Sequence, residues 1–447
     1  MGAQLKRAGA ASESLAGLAS LFSRYIDGPL EPAKKGAGSR QRDFPRVAIF
    51  WAFLGQVLLR GASCRWALAR MQADAVAKGQ HPPGNSTSAY CQARAALPLA
   101  WLQALFGSLA RWFDRRSAAQ WYGRFVRLID GTGFSMPDTD ANRRSWPYAG
   151  GQKKGCGFPT AKLVGLFCLH TGRLLAFAQG AWKTHDLVHA RTLLRWMHAG
   201  EVLVADRAYC GWLFLVQLQA RKVDFVIRLH QARIVHPRGR CSWLETWKKP
   251  LQPTGQSKRS WTKQPKELTV RLVRFQVQAR GFRTRKITLV TSLLDQRAFP
   301  DSAIAELYAR RWRVELHYRQ IKTNLSLDVL RGLTPKMIER ELWMHAIAYN
   351  LVHALLLDAS LTHHVPIERL SFKGTLDALQ AWAQRAFHSP RNRCRARLTL
   401  LARIAADLIP LRPGRNEPRA RKRRTKDYQL LNRPRRLMRV SNSRRLR

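Results

Sequence analysis

Two aspartates close short apolar runs. Asp130 ends Phe125-Val126-Arg127-Leu128-Ile129-Asp130, and Asp206 ends Glu201-Val202-Leu203-Val204-Ala205-Asp206. In sheet folds, ligands collect at the carboxyl ends of strands. Carboxylates are the hard oxygen donors that magnesium takes. Two such ions, roughly 3.5–4 Å apart, clamp the attacking and leaving oxygens of a phosphoryl transfer. That chemistry needs about three carboxylates at one point. Each aspartate also has a blander use. Asp130 could open an Asp-Gly turn, and Asp206 could cap the helix that follows.

The third carboxylate is expected from a helix spanning residues 301–324, preceded by Pro300. At about 100° per residue, Arg311, Glu315 and Lys322 fall roughly −60°, −20° and −40° from Tyr308. Leu307, Val314, Ile321 and Leu325 form a neighbouring apolar stripe that can seat the helix on a sheet. Glu315 would bind metal, Arg311 and Lys322 would hold phosphate oxygens, and Tyr308 would hydrogen-bond a phosphate. The competing use is a solvated face with an Arg311–Glu315 ion pair.

The elements that must position these groups follow from periodicity. Residues 1–119 read as helical, with segments Val47–Leu59, Ser63–Lys78, Ala89–Ala96 and Leu102–Phe113. Ser86 and its neighbours offer N-caps, and Pro98 restarts the chain. Either DNA docking or plain packing suits such a bundle. Thr160–His170 and Arg173–Trp182 flank Thr171-Gly172, a hairpin signal. Strand, helix and strand follow at 201–206, 212–221 and 223–229, indicating a mixed sheet covered by helices. Residues 231–294 lose helical periodicity and read as a β-rich insertion with strands at Thr269–Gln278 and Lys286–Leu293. Apolar helices continue through Met337–Leu357 and beyond Leu376, before a Pro/Arg-rich tail.

The 447 residues carry 78 Lys and Arg against 28 Asp and Glu, a net charge of +50. The segment 410–447 holds +13 of this, leaving +37 on the remainder. A polyanion is the natural partner, and nucleic acid contacts of this kind are salt-sensitive. At 46% hydrophobic residues, wholesale disorder is excluded. No apolar run is long enough to span a bilayer, and no signal-peptide core or myristoylation signal opens the chain. Seven cysteines without a C-x-x-C pair fit neither a disulfide framework nor a zinc module. A cytoplasmic, nucleoid-associated location is expected.

Tyr308, Arg311, Glu315 and Lys322 reproduce the Tyr-x2-Arg-x3-Glu-x6-Lys spacing, which resembles the Y-R-E-K signature of the insertion-sequence four (IS-four) family of bacterial transposases. The contexts of Asp130 and Asp206 are similar to that family's two acidic motifs. Arg42-Asp43-Phe44-Pro45 and Arg412-Pro413-Gly414-Arg415 resemble its terminal regions. The resemblance implies an α/β fold with a ribonuclease-H-like catalytic core, a β-rich insertion, a helical N-terminal domain and a basic C-terminal tail. The boundaries are 1–119, 120–230, 231–294, 295–395 and 396–447. It implies a DDE transposase in which Asp130, Asp206 and Glu315 hold two Mg2+ ions, with Mn2+ as a substitute. Tyr308, Arg311 and Lys322 would grip DNA. Partners would be double-stranded DNA, as terminal inverted repeats and target, with a dimer in the synaptic complex and no membrane. A non-catalytic DNA-binding protein and a nuclease without strand transfer are the alternatives.

One position departs from the family. Where a relative carries a Trp that stacks on a flipped base, this chain has Ile287; Trp243, Trp247 or Trp261 could serve instead. Lys183-Thr184-His185-Asp186 reads as a helix start rather than a metal pair, and His317 points away from the acidic stripe. No Walker-type phosphate loop is present.

Overall fold

A computed structural model describes residues 14–26, 44–118, 121–149, 155–233, 239, 241–253, 255–277, 285–383, 392–411 and 437. Arg42-Asp43 and the basic tail from Arg412 lie outside the described residues, Leu437 excepted. Eight strands form one sheet: β1 Val126–Ser135, β2 Thr160–Cys168, β3 Leu174–Ala181, β4 Val202–Ala205, β5 Asp224–Arg228, β6 Ser242–Lys248, β7 Glu267–Val277 and β8 Arg285–Thr291. Their order is β3-β2-β1-β4-β5-β8-β7-β6. β4 runs parallel to β1 and β5, and every other neighbour is antiparallel.

Fourteen α-helices are described. Before β1 come α1 Ser14–Phe22, α2 Arg46–Leu58, α3 Cys64–Ala77, α4 Thr87–Ala95 and α5 Leu99–Asp114. Within the sheet region lie α6 Asp140–Ser145, α7 Asp186–Leu193, α8 Trp212–Ala220 and α9 Lys258–Thr262. After β8 come α10 Asp301–Ala309, α11 Arg313–Arg319, α12 Pro335–His363, α13 Phe372–Ala383 and α14 Arg393–Ala406. The expected caps form: Ser63 Oγ accepts from the Trp66 N–H, and Ser86 Oγ from the Ala89 N–H.

Side chains alternate across β1, so the sheet divides two cores. Leu128 and Phe134 enter a core shared with α2, α5 and α12. Ile129 faces a second core with residues of α7 and α8. The N-terminal helices therefore pack into the same apolar mass as the helices after the sheet. α12 begins on a Thr334 cap with Pro335 in its first turn. It is located on the sheet by Asn350, whose Oδ1 accepts from the Leu174 N–H at 2.8 Å and whose Nδ2 donates to the Leu174 carbonyl at 2.9 Å. The side chain thus pairs with β3 as a neighbouring strand would.

The segment read as an insertion extends the core sheet, because β8 pairs with β5. An additional strand, β6, forms the far edge. Arg271 on β7 is 1% exposed and donates to the carbonyls of Leu293 and Phe299 and to Asp301, fixing the start of α10. Among the described residues, no helix is long and apolar enough to cross a membrane.

Candidate active site

Asp130 does not end its strand. It is the fifth of ten residues in β1, and Gly131 to Ser135 continue pairing with β2. The Asp-Gly pair is therefore no turn; backbone pairing carries the strand past the point where apolar side chains stop. Asp206 does follow the last residue of β4. The parallel register pairs Leu128 with Val204, so Asp130 stands level with Asp206 two residues further on. Adjacent strands run about 4.8 Å apart.

Each aspartate commits one oxygen to the backbone. Asp130 Oδ1 accepts from the Gly131 N–H at 2.8 Å, and Asp206 Oδ1 accepts from the Ala208 N–H at 2.8 Å. The cap reading of Asp206 is thus realised, through one oxygen only. Burial pushes the Asp130 carboxyl up to about 6, and the negative charges of Asp206 and Glu315 add to the rise. The Gly131 N–H and the Arg311 guanidinium oppose it.

The helix that carries the remaining groups is not uniform. A 3-10 turn at Arg310–Trp312 separates α10 from α11, and α11 ends in a π-helical turn at Gln320–Asn324. Angles taken at a constant 100° hold for the apolar stripe, since Leu307, Val314, Ile321 and Leu325 are all buried. They do not hold for the polar stripe. Tyr308 and Arg311 turn inward and are buried, whereas the Glu315 side chain is 47% exposed. Arg311 Nη2 lies 3.4 Å from Glu315 Oε1, the ion pair weighed as the alternative use. The Arg311 guanidinium also sits 4.9 Å from the Trp312 ring centroid and 5.9 Å from that of Tyr308. Burial raises the Tyr308 phenol, and Asp206 contributes to the rise. Lys322 lies half-buried in the π turn, and its side chain makes no hydrogen bond or ion pair among the described residues.

Tyr318 was not among the expected site residues. Its hydroxyl donates to the Asp130 carbonyl at 2.6 Å and accepts from the Gly165 N–H at 2.8 Å. Asp130 and Gly165 are cross-strand partners, so one phenol fastens α11 to the strand pair that carries the acid. A Cβ on Gly165 would come within 2.8 Å of the Phe167 ring and 3.0 Å of the Tyr318 hydroxyl, so only glycine admits the phenol. The signal was present three positions after Glu315, on the inward side of the helix.

Other expectations resolve simply. His185 caps α7, and Asp186 pairs with Lys162 at 2.8 Å, as a helix start would. His317 is buried against Phe167 and His353, away from the acids. Trp247 and Trp261 are buried in the second core, with Trp243 packed against it, so they serve as core. Ile287 packs against the first core beside Phe275.

The donor set is all carboxylate oxygen, suited to a hard divalent cation. A cation would also relieve the raised Asp130 carboxyl. Among the described residues, no three acidic, histidine or cysteine side chains are already gathered as a metal cage.

Comparison with known proteins identifies the family. The model of the transposase DDE domain matches residues 121–351. The chain is 27% identical over 321 residues to "Transposase InsG for insertion sequence element IS4" of Escherichia coli (strain K12), covering 70% of each chain. It is 30% identical over 179 residues to "Probable transposase for insertion sequence element IS5377" of Geobacillus stearothermophilus, covering 39% of this chain and 45% of that one. With its mixed sheet and its acids on neighbouring strands, the chain belongs to the IS4 family of DDE transposases, DNA-binding enzymes of insertion-sequence transposition that use divalent metal.

Proposed function

We propose that Asp130, Asp206 and Glu315 hold two Mg2+ ions, for which Mn2+ can substitute, and that the enzyme cuts and joins DNA at the ends of its element. The observation that carries this reading is the β1–β4 register, which sets Asp130 level with Asp206, within electrostatic reach of Glu315. Bound there, the ions would lower the energy of negative charge on the attacking and leaving oxygens. The chain's own groups do the rest. Tyr318 fixes the Asp130 backbone. Arg311, released from Glu315, would pair with a phosphate oxygen, and Lys322 would neutralise a second. Tyr308 would donate a hydrogen bond to the same strand.

Water would attack first, and a freed 3′-hydroxyl second, each by in-line displacement at phosphorus. The DNA would be the terminal inverted repeats and then the target. Pairing of two ends calls for a dimer on DNA, and the setting is the cytoplasm, in association with the nucleoid.

Cleavage of a labelled element end with Mg2+ tests the assignment. Asp130→Ala, Asp206→Ala and Glu315→Ala should each lose about a thousandfold or more, as the removal of several kcal/mol of charge stabilisation requires. End binding should persist. Undiminished cutting by any of the three would overturn the assignment. Joining of a 3′-hydroxyl end into plasmid separates a transposase from a nuclease that only cuts.

A further inference from the structure

A groove opens at the end of the sheet opposite the acids. Its main cavity has a volume of about 770 Å³, within the range of small-ligand sites. It lies between α5, the start of β1, β3 and the turn leading into β4. A second cavity of about 390 Å³ shares Arg124, Ala199 and Gly200 with it, so the two form one track. Five residue steps along β4 separate Glu201, on this track, from Asp206. At about 3.3 Å per residue that is roughly 16 Å.

The chemistry of the walls is mixed in a specific way. Phe106 and Phe177 pack against Trp343, with ring centroids 5.4 and 4.6 Å away, and give an aromatic floor. Trp196 is 48% exposed on the rim, with the Arg195 guanidinium 5.6 Å from its ring centroid. Arg127 and Arg173, 5% and 6% exposed, line the cavity and are held by Glu201 and Asp114. Arg127 Nε is buried and finds no acceptor among the described residues. Arg195 and Lys222 are exposed and have no carboxylate partner among the described residues. Arg124 is paired with Asp224.

An exposed indole beside unpaired cations fits an unstacked base with its phosphates. Stacking platforms in a cationic groove are how single strands are bound without sequence preference. The overall charge of +50 favours the polyanion.

We propose that this track binds a single DNA strand outside the catalytic centre, with one base stacked on Trp196 and the adjoining phosphates held by Arg195 and Lys222. The assignment does not depend on the metal ligands.

Fluorescence anisotropy of labelled dT8 with the full chain tests it. Trp196→Leu should weaken dT8 binding about tenfold, and Trp196→Phe, which keeps a stacking face, should restore most of the loss. Arg195→Ala should also weaken it several-fold. A blunt duplex of the same charge should change less than twofold in all three variants. Trp196 and Arg195 are on the surface, so an unchanged melting temperature is expected and excludes a folding defect. The proposal is overturned if dT8 affinity is unaltered, if leucine serves as well as phenylalanine, or if the duplex loses equally.

Discussion

Asp130 carries an unfavourable charge in the folded protein, and that has measurable consequences. Its carboxyl is pushed up to about 6 by burial, helped by Asp206 and Glu315. The folded protein therefore binds this proton more tightly than the unfolded chain does. Stability from this group is lost as pH rises from about 4 through 6, the reverse of an ion-paired carboxylate. Asp130→Asn should raise stability by about 3 kcal/mol at pH 7 without divalent metal. The gain should shrink to about half a kcal/mol at pH 4 and vanish below about pH 3, where the wild-type group is protonated in both states. Urea melts of both proteins at pH 4 and 7 check this. Added Mg2+ should reverse the order at pH 7, because only the wild type has the ligand. At Tyr318, phenylalanine would leave the buried Gly165 N–H without its acceptor. A loss of about 1–3 kcal/mol is expected, with cleavage slowed and DNA affinity retained. Tight-binding titration and single-turnover rates separate the two.

At the level of elements, local pattern made much of the site readable. The hairpin at Thr171-Gly172, the capped helices at Ser63 and Ser86, and β4 ending at Asp206 all lie close to their expected limits. Each is set by residues adjacent in sequence. What escaped depends on residues far apart. β1 runs on through Gly131 and Gly133 because β2 pairs with it, not because those residues favour a strand. β6 is an edge strand with little burial, so its apolar alternation is faint. The 3-10 and π turns in residues 301–324 break a period that a helical wheel assumes constant, so Arg311 turns inward while Glu315, still paired with it, stays exposed. The closeness of α11 to the sheet also explains Gly165. Gly165→Ala should cost about 1–3 kcal/mol by overpacking and displace Tyr318, lowering both melting temperature and cleavage rate. An unchanged melting temperature would mean the contact is looser than described.

For the whole molecule, charge was legible and its placement was not. A net +50 pointed to a polyanion before any fold was known. It could not show that several arginines are consumed internally: Arg127 by Glu201, Arg271 by Asp301 and Arg397 by Asp358. Enough exposed cations remain for steep salt dependence. The logarithm of end-binding affinity should fall with the logarithm of salt concentration with a slope of roughly −5 or steeper, about −0.9 per phosphate neutralised. Arg311→Ala should reduce that slope by about one, and filter binding across a salt series measures both.

The central claim is that three carboxylates from distant parts of the chain close on shared cations once DNA is present. Crystals of the protein on a cut element end, soaked in Mn2+, test it most directly through anomalous scattering. The expected map has manganese peaks in direct contact with Asp130, Asp206 and Glu315, with Glu315 moved off Arg311. Manganese bound elsewhere, or Glu315 still paired with Arg311 beside an ion held by the aspartates alone, would contradict it.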